Sequence, residues 1–124
     1  MDNSATATRV DKPWGHELIW ALTDRYVGKI LFIEAGKRLS LQYHEEKDES
    51  IFVLEGRMVL HLEDSEGELQ SIEMEHGDSH RIPVGARHRF AAIENTRLVE
   101  VSSPEIEDVV RVEDDFGREG TTEP

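Results

Sequence analysis

Residues Gly36 to Gly56 read GKRLSLQYHEEKDESIFVLEG, and this stretch decides the fold. Two runs with the pattern of strands, Leu39–His44 and Ser50–Leu54, are separated by a charged loop, Glu45–Asp48. On a strand, alternate side chains share a face, so Gln42 and His44 project together, with Ser40 and Arg38 in line behind them. Glu49 opens the next run, at the parity of Ile51 and Val53. An antiparallel pairing of the two runs brings Gln42, His44 and Glu49 around a single point. Ile51 to Leu54 is apolar at both parities, so both faces of that strand call for cover. An N-terminal strand or a second subunit is expected to supply it, with Tyr43, Phe52 and Leu54 as the interface residues in the second case.

The same pattern runs outward in both directions. Further strand-like runs fall at Glu17–Trp20, Tyr26–Ile33, Arg57–Glu63, Glu68–Met74, Ser79–Ile82, His88–Ile93 and Arg97–Ser102. Turn-forming clusters such as Glu34-Ala35-Gly36-Lys37, Asp64-Ser65-Glu66-Gly67 and Pro83-Val84-Gly85 divide them. Met58, Leu60 and Leu62 alternate with Val59, His61 and Glu63, as in a half-buried strand. No window carries the apolar stripe of an amphipathic helix. The fold class predicted is all-β, a closed antiparallel sandwich or barrel.

The chain of 124 residues suits one domain, predicted over residues 9–118, with polar, fraying ends at 1–8 and 119–124. Lys and Arg total 14 against 27 Asp and Glu, a net charge of −13. Nucleic acid and anionic membranes need a dense cationic footprint, so neither is an expected partner. An anionic small molecule remains compatible, because one pocket can be positive on an acidic protein. With no cysteine, disulfides, thiol nucleophiles and thiolate metal sites are excluded. No apolar run approaches the roughly 20 residues of a membrane span, and Met1 to Thr8 lacks the apolar core of a signal peptide. A cytoplasmic location is the expectation.

A second segment, GDSHRIPVGARHRFAAI from Gly77 to Ile93, supplies His88 just after a Pro-x-Gly turn. Together the two segments resemble the paired motifs of the cupin superfamily. Gly36, Gln42, His44, Glu49 and Gly56 fall in register with the first motif, Gln42 standing where most cupins have a His. Gly77, Pro83, Gly85 and His88 match the second, with Ala92 at the usual Asn. The Gln, the Lys12-Pro13-Trp14-Gly15 run, and the tail from Glu107 to Arg118 look like the C-terminal cupin domain of type II mannose-6-phosphate isomerases. The nucleotidyltransferase domain of that family's bifunctional members is not part of this sequence.

The resemblance implies a double-stranded β-helix, or jelly-roll barrel, with one divalent ion held by Gln42, His44, Glu49 and His88. Two imidazoles, a carboxylate and an amide suit zinc first, with Mn, Co, Ni and Fe also compatible. It also implies aldose–ketose isomerisation of a sugar phosphate or a related polyhydroxy carbonyl compound, by a homodimer. Lys29, Arg38, Arg111 and Arg118 are the expected phosphate contacts, meeting at one mouth of the barrel with the tail folded back towards it. Lys47 stands where many of those isomerases carry an Arg, and it is the expected catalytic cation. His80 is the candidate pocket base. Two other readings use the same residues: a metal cupin of another reaction type, such as a dioxygenase, and a carbohydrate-binding cupin without catalysis.

Overall fold

The computed structural model describes Ser4 and residues 6–121. The fraying expected at residues 1–3, 5 and 122–124 lies outside the described residues. Eleven strands follow one another: β1 (Thr8–Lys12), β2 (Gly15–Leu22), β3 (Val27–Ile33), β4 (Leu41–Tyr43), β5 (Glu49–Glu55), β6 (Arg57–Glu63), β7 (Leu69–Glu75), β8 (Ser79–Ile82), β9 (His88–Ala92), β10 (Thr96–Ser102) and β11 (Val110–Glu113). They form a six-stranded sheet, ordered β1-β2-β3-β10-β5-β8, and a five-stranded sheet, ordered β11-β4-β9-β6-β7. Every pairing is antiparallel. No helix of the described residues is long and apolar enough to cross a membrane. The all-β class is what the alternating pattern predicts, and the jelly roll is what the resemblance implies.

Alternation packs the core. Leu31, Ile33, Ile51, Val53 and Leu98 face inward from the larger sheet, meeting Met58, Leu60, Leu62, Met74, Phe90 and Ala92 from the smaller one. Each fully buried Leu, Ile or Phe contributes roughly 1.5–3 kcal/mol by leaving water. On the opposite parity of β5, Phe52 and Leu54 are exposed, and the outer face of the larger sheet continues through Trp20 and Val101.

Two strands exceed the sequence-based expectation. β1 starts at Thr8, at the end of the stretch read as fraying, and zips against β2 from Thr8–Ile19 to Lys12–Gly15. β11 pairs with β4 and returns the tail to the barrel. Beyond it, the Gly120 N–H donates to the Arg111 carbonyl at 3.0 Å and the Thr121 N–H to that of Arg118 at 3.0 Å. The β5–β6 turn explains one motif residue. Gly56 has φ 95°, and a Cβ there would stand 2.3 Å from the Asn95 carbonyl oxygen, so only glycine fits.

Candidate metal centre and its cavity

The two motif segments meet at one end of the barrel. Gln42 on β4 is the register partner of His88 on β9, and on its other side of Arg111 on β11. The Pro83–Gly85 turn docks there because the Gly85 N–H donates to the His44 carbonyl at 2.9 Å. Glu49 opens β5 directly opposite Ile82. His44, Glu49 and His88 are all buried, and one ligand atom from each lies within 4.8 Å of the others. Glu49 Oε1 is 3.5 Å from His44 Nε2 and 3.2 Å from His88 Nε2.

The outward nitrogens of the two rings fix what the inward ones can do. His44 Nδ1 is 2.5 Å from the Asp108 carbonyl oxygen and His88 Nδ1 is 2.9 Å from that of Ala86. Carbonyl oxygens only accept, so both Nδ1 atoms carry hydrogen and both neutral rings present a lone pair at Nε2. Neither Nε2 has a hydrogen-bond partner, although both are buried. Two lone pairs and a carboxylate oxygen aimed at one point repel one another unless a cation sits among them. Backbone-fixed imidazoles are also how metal-ligating histidines are held. The residues therefore fit a divalent ion, with His44, His88 and Glu49 as ligands. Gln42 stands beside them, its Oε1 accepting the Ser40 hydroxyl at 2.6 Å.

A cavity of about 80 Å³ opens beside this cluster. Its wall includes His44 and Gln42, the cations Lys12, Lys29, Lys47, Arg111 and Arg118, and the carboxylates Glu17 and Glu100. Trp14, Leu31, Leu39, Ile106 and Val109 give it an apolar side. Most of the cations are held by acids. Lys29 Nζ is 3.3 Å from Glu17 Oε1, and Arg118 grips Asp114 at 2.7 and 3.2 Å. Lys47 Nζ lies 3.0 Å from Glu49 Oε2 and 3.3 Å from Glu100 Oε2. Arg111 Nη1 donates to the Thr121 carbonyl at 2.9 Å.

Electrostatics follow from that packing. Burial alone would raise the Glu49 carboxyl, but the two imidazoles and the Lys47 ammonium hold it well below the ordinary range. Burial, followed by the Glu49 charge, raises Glu100. Burial would lower Lys47, yet Glu100 and Glu49 overcome it and push its pKa well above the usual lysine value. Lys47 therefore stays charged and is a poor proton acceptor. For Lys12 burial wins and lowers the pKa, against the pull of Glu17.

Of the expected anion contacts, Lys29, Arg111 and Arg118 line the cavity and Arg38 does not. The parity argument for Arg38 fails because the chain leaves strand geometry at Leu39 and Ser40. Leu39 faces inward, then Gln42 and His44 do, an odd step that turns Arg38 to the outside. There it forms a fork with Asp115 at 2.7 and 2.9 Å. His80 is also absent from the cavity wall. It pairs with Ile51, two residues further from the metal end than Ile82, and its Nδ1 meets the Arg81 carbonyl oxygen at 2.7 Å. Lys47 is drawn in from a loop that reads as surface.

Sequence reasoning missed Lys12, Glu17, Glu100 and Asp108. Glu100 carried a signal, since it shares a parity with Leu98 and stands between Val99 and Val101; the structure makes it the register partner of Lys29. Asp108 carried none, because the partners of its carboxylate are more than sixty positions away in the chain.

The cupin domain family matches residues 29–102, more than half of the chain. The protein is a cupin. Solved structures with this fold include KdgF from a Halomonas species, at 21% identity and a TM-score of 0.70, covering 79% of this chain and 88% of that one. Pac13 of Streptomyces, solved with uridine and described as a nucleoside dehydratase, aligns with a TM-score of 0.76 at 14% identity, covering 92% and 93%. Bacillus subtilis oxalate decarboxylase, studied for its Mn(II) centres, aligns at 15% identity with a TM-score of 0.73. The cupin covers 29% of that longer enzyme, and 84% of the cupin is covered. At these identities the likeness is one of fold. Comparison with curated protein sequences gives no match.

Proposed function

We propose that this cupin is a metal-dependent enzyme that interconverts an aldose and a ketose, acting on a sugar phosphate or a related polyhydroxy carbonyl compound. One observation carries the reading. His44, one of a buried His-Glu-His cluster, lines a cavity whose wall also holds five cations, in a chain whose net charge is −13. Lys29, Lys47 and Arg118 already face acids, so it is the excess of the five cations over the wall carboxylates Glu17, Glu100 and Asp108 that serves a local anion. His44, His88 and Glu49, with Gln42 beside them, would hold the ion, zinc being the first candidate. Such an ion supplies Lewis acidity towards substrate oxygens.

The chain's own residues divide the remaining work. Arg111, Arg118, Lys12 and Lys29 bind the phosphate end and orient the sugar. Lys47, permanently charged, steadies negative charge developing near the Glu49 side of the cavity. Glu17 and Glu100 are the wall carboxylates placed to move a proton between adjacent carbons, work worth roughly 10²–10⁴-fold in rate. Trp14 and the Ile106–Val109 segment exclude water. The exposed Phe52 and Leu54 support a homodimer through the outer face of the larger sheet, which sedimentation would test.

The deciding experiment incubates the purified protein with mannose 6-phosphate and Zn, Mn, Co or Ni, with NMR detection of the ketose phosphate. Conversion that depends on the metal and on His88 is expected. No conversion with any of the four metals would end the isomerase reading, leaving another cupin reaction or carbohydrate binding.

A further inference from the structure

Between β10 and β11 the chain runs from Ser103 to Val109 without regular structure. It is anchored at its start, where Asp48 and Ser103 exchange two hydrogen bonds of 3.0 Å. Its Ile106, Asp108 and Val109 form part of the cavity wall. Within it, short turns bond Ile106 N–H to the Pro104 carbonyl and Val109 N–H to that of Glu107, at 2.7 and 3.0 Å. Those local bonds alone would not fix the segment over the cavity.

Asp108 does fix it. Its Oδ1 accepts the Glu45 N–H at 3.0 Å, and its Oδ2 accepts those of Glu46 and Lys47 at 2.7 and 2.9 Å. These three N–H groups belong to the loop between His44 and Glu49. The Asp108 carbonyl oxygen meanwhile takes the Nδ1 hydrogen of His44. One residue thus holds the ring of one ligand and the backbone that spaces it from another. Charge-assisted bonds of this kind are about twice as strong as neutral ones.

We propose that Asp108 is a positioning residue of the metal centre, and that through it closure of the segment 104–109 over the cavity is coupled to metal occupancy. The coupling rests on the metal reading given above. With the segment open, the His44 ring loses the acceptor that sets its tautomer and angle, and the loop carrying Lys47 loses three bonds at once. The ion then binds a less organised site. By linkage, an ion bound to His44 must favour the closed segment by the same factor.

The test uses Co(II) alone as the probe, with titration calorimetry and the visible absorption of the bound ion, on wild type, Asp108→Asn and Asp108→Ala. Asp108→Ala should bind Co(II) about 10–100-fold more weakly, the range for outer partners of metal ligands, with an altered absorption band. Asp108→Asn keeps one oxygen acceptor and should fall between. Arg57→Ala, on the far exposed side of β6, serves as a control that leaves both unchanged. Amide hydrogen exchange gives a readout needing no variant: in wild type, Co(II) should slow exchange at Ile106, Asp108 and Val109 by about 5-fold or more. If Asp108→Ala does not fold, the Asn variant and the wild-type exchange decide. Equal affinity and spectrum in the Asp108 variants, or exchange indifferent to Co(II), would overturn the proposal while leaving the metal site standing. No Co(II) binding by wild type would overturn both.

Discussion

Lys47 Nζ lies 3.0 Å from Oε2 of Glu49, so that carboxylate has an ammonium on one oxygen and two imidazoles on the other. The arrangement leaves Oε1 as the single oxygen free for a metal and sets Oε2 aside for an ion pair. Lys47 also carries the charge of Glu100. Removing the ammonium strands two buried carboxylates.

Lys47→Met should therefore destabilise the metal-free protein by about 3–5 kcal/mol, the cost of breaking a buried pair from one side. Urea unfolding measures it. Adding Glu100→Gln should recover part of the loss, since the second stranded charge disappears. Two additive penalties would show that Lys47 and Glu100 do not act together.

Metal binding should raise the melting temperature. At a free ion concentration of 100 times Kd, the added stability is about 2.7 kcal/mol. His88→Ala and Glu49→Gln should abolish the shift with Zn or Mn, while His80→Ala, outside the cavity wall, should retain it. Thermal scans with and without chelator check all three. A shift that survives His88→Ala would place the ion elsewhere.

The proposed function assigns the phosphate to Arg111, which lines the cavity, and not to Arg38, which does not. Arg111→Ala should cost about 1.5–3 kcal/mol in kcat/KM for a phosphorylated sugar, and far less for its unphosphorylated analogue. Arg38→Ala breaks an exposed pair worth about 0–1 kcal/mol of stability and should leave both substrates alone. Steady-state kinetics on the paired substrates separates the two residues.

Acid should loosen the tail. Burial would raise Asp114, but the hydrogen bonds and charge of Arg118 lower it below its ordinary value. A carboxyl depressed in the folded state stabilises that state above its unfolded pKa, near 3.9, and the contribution is lost as pH falls through the folded value. Urea unfolding from ~pH 6 to ~pH 3 should show Asp114→Asn with a flatter acid limb than wild type. Parallel limbs would mean that the Asp114–Arg118 pair is not linked to folding.

Legibility in the sequence followed the regularity of the backbone. Met58, Leu60 and Leu62 alternate as core residues because β6 is an uninterrupted strand between β7 and β9. His44 and Glu49 were legible because a four-residue loop holds them close, although their strands lie in different sheets and do not pair with each other as expected. His88 was legible through the resemblance of the second motif. Arg38 was not, since a parity count assumes a continuous strand and Leu39–Ser40 break it. Lys47 reads as a solvated loop cation until its acids are known, and Glu100 is fifty-three positions away. Asp108 escapes for the same reason. Side chains whose partners are fixed by topology alone leave no local trace.

The separation of charge between surface and interior has a kinetic corollary. The cations of the cavity are largely enclosed, while a chain of net charge −13 meets an approaching anion first. At low ionic strength the far field opposes encounter, and dissolved salt damps it within a Debye length of about 8 Å at physiological concentration. Inside the cavity, shielded from counter-ions, the attraction persists. Moderate salt should thus speed the capture of a phosphorylated ligand, the reverse of the steering seen where an enzyme's outer field and its pocket share one sign.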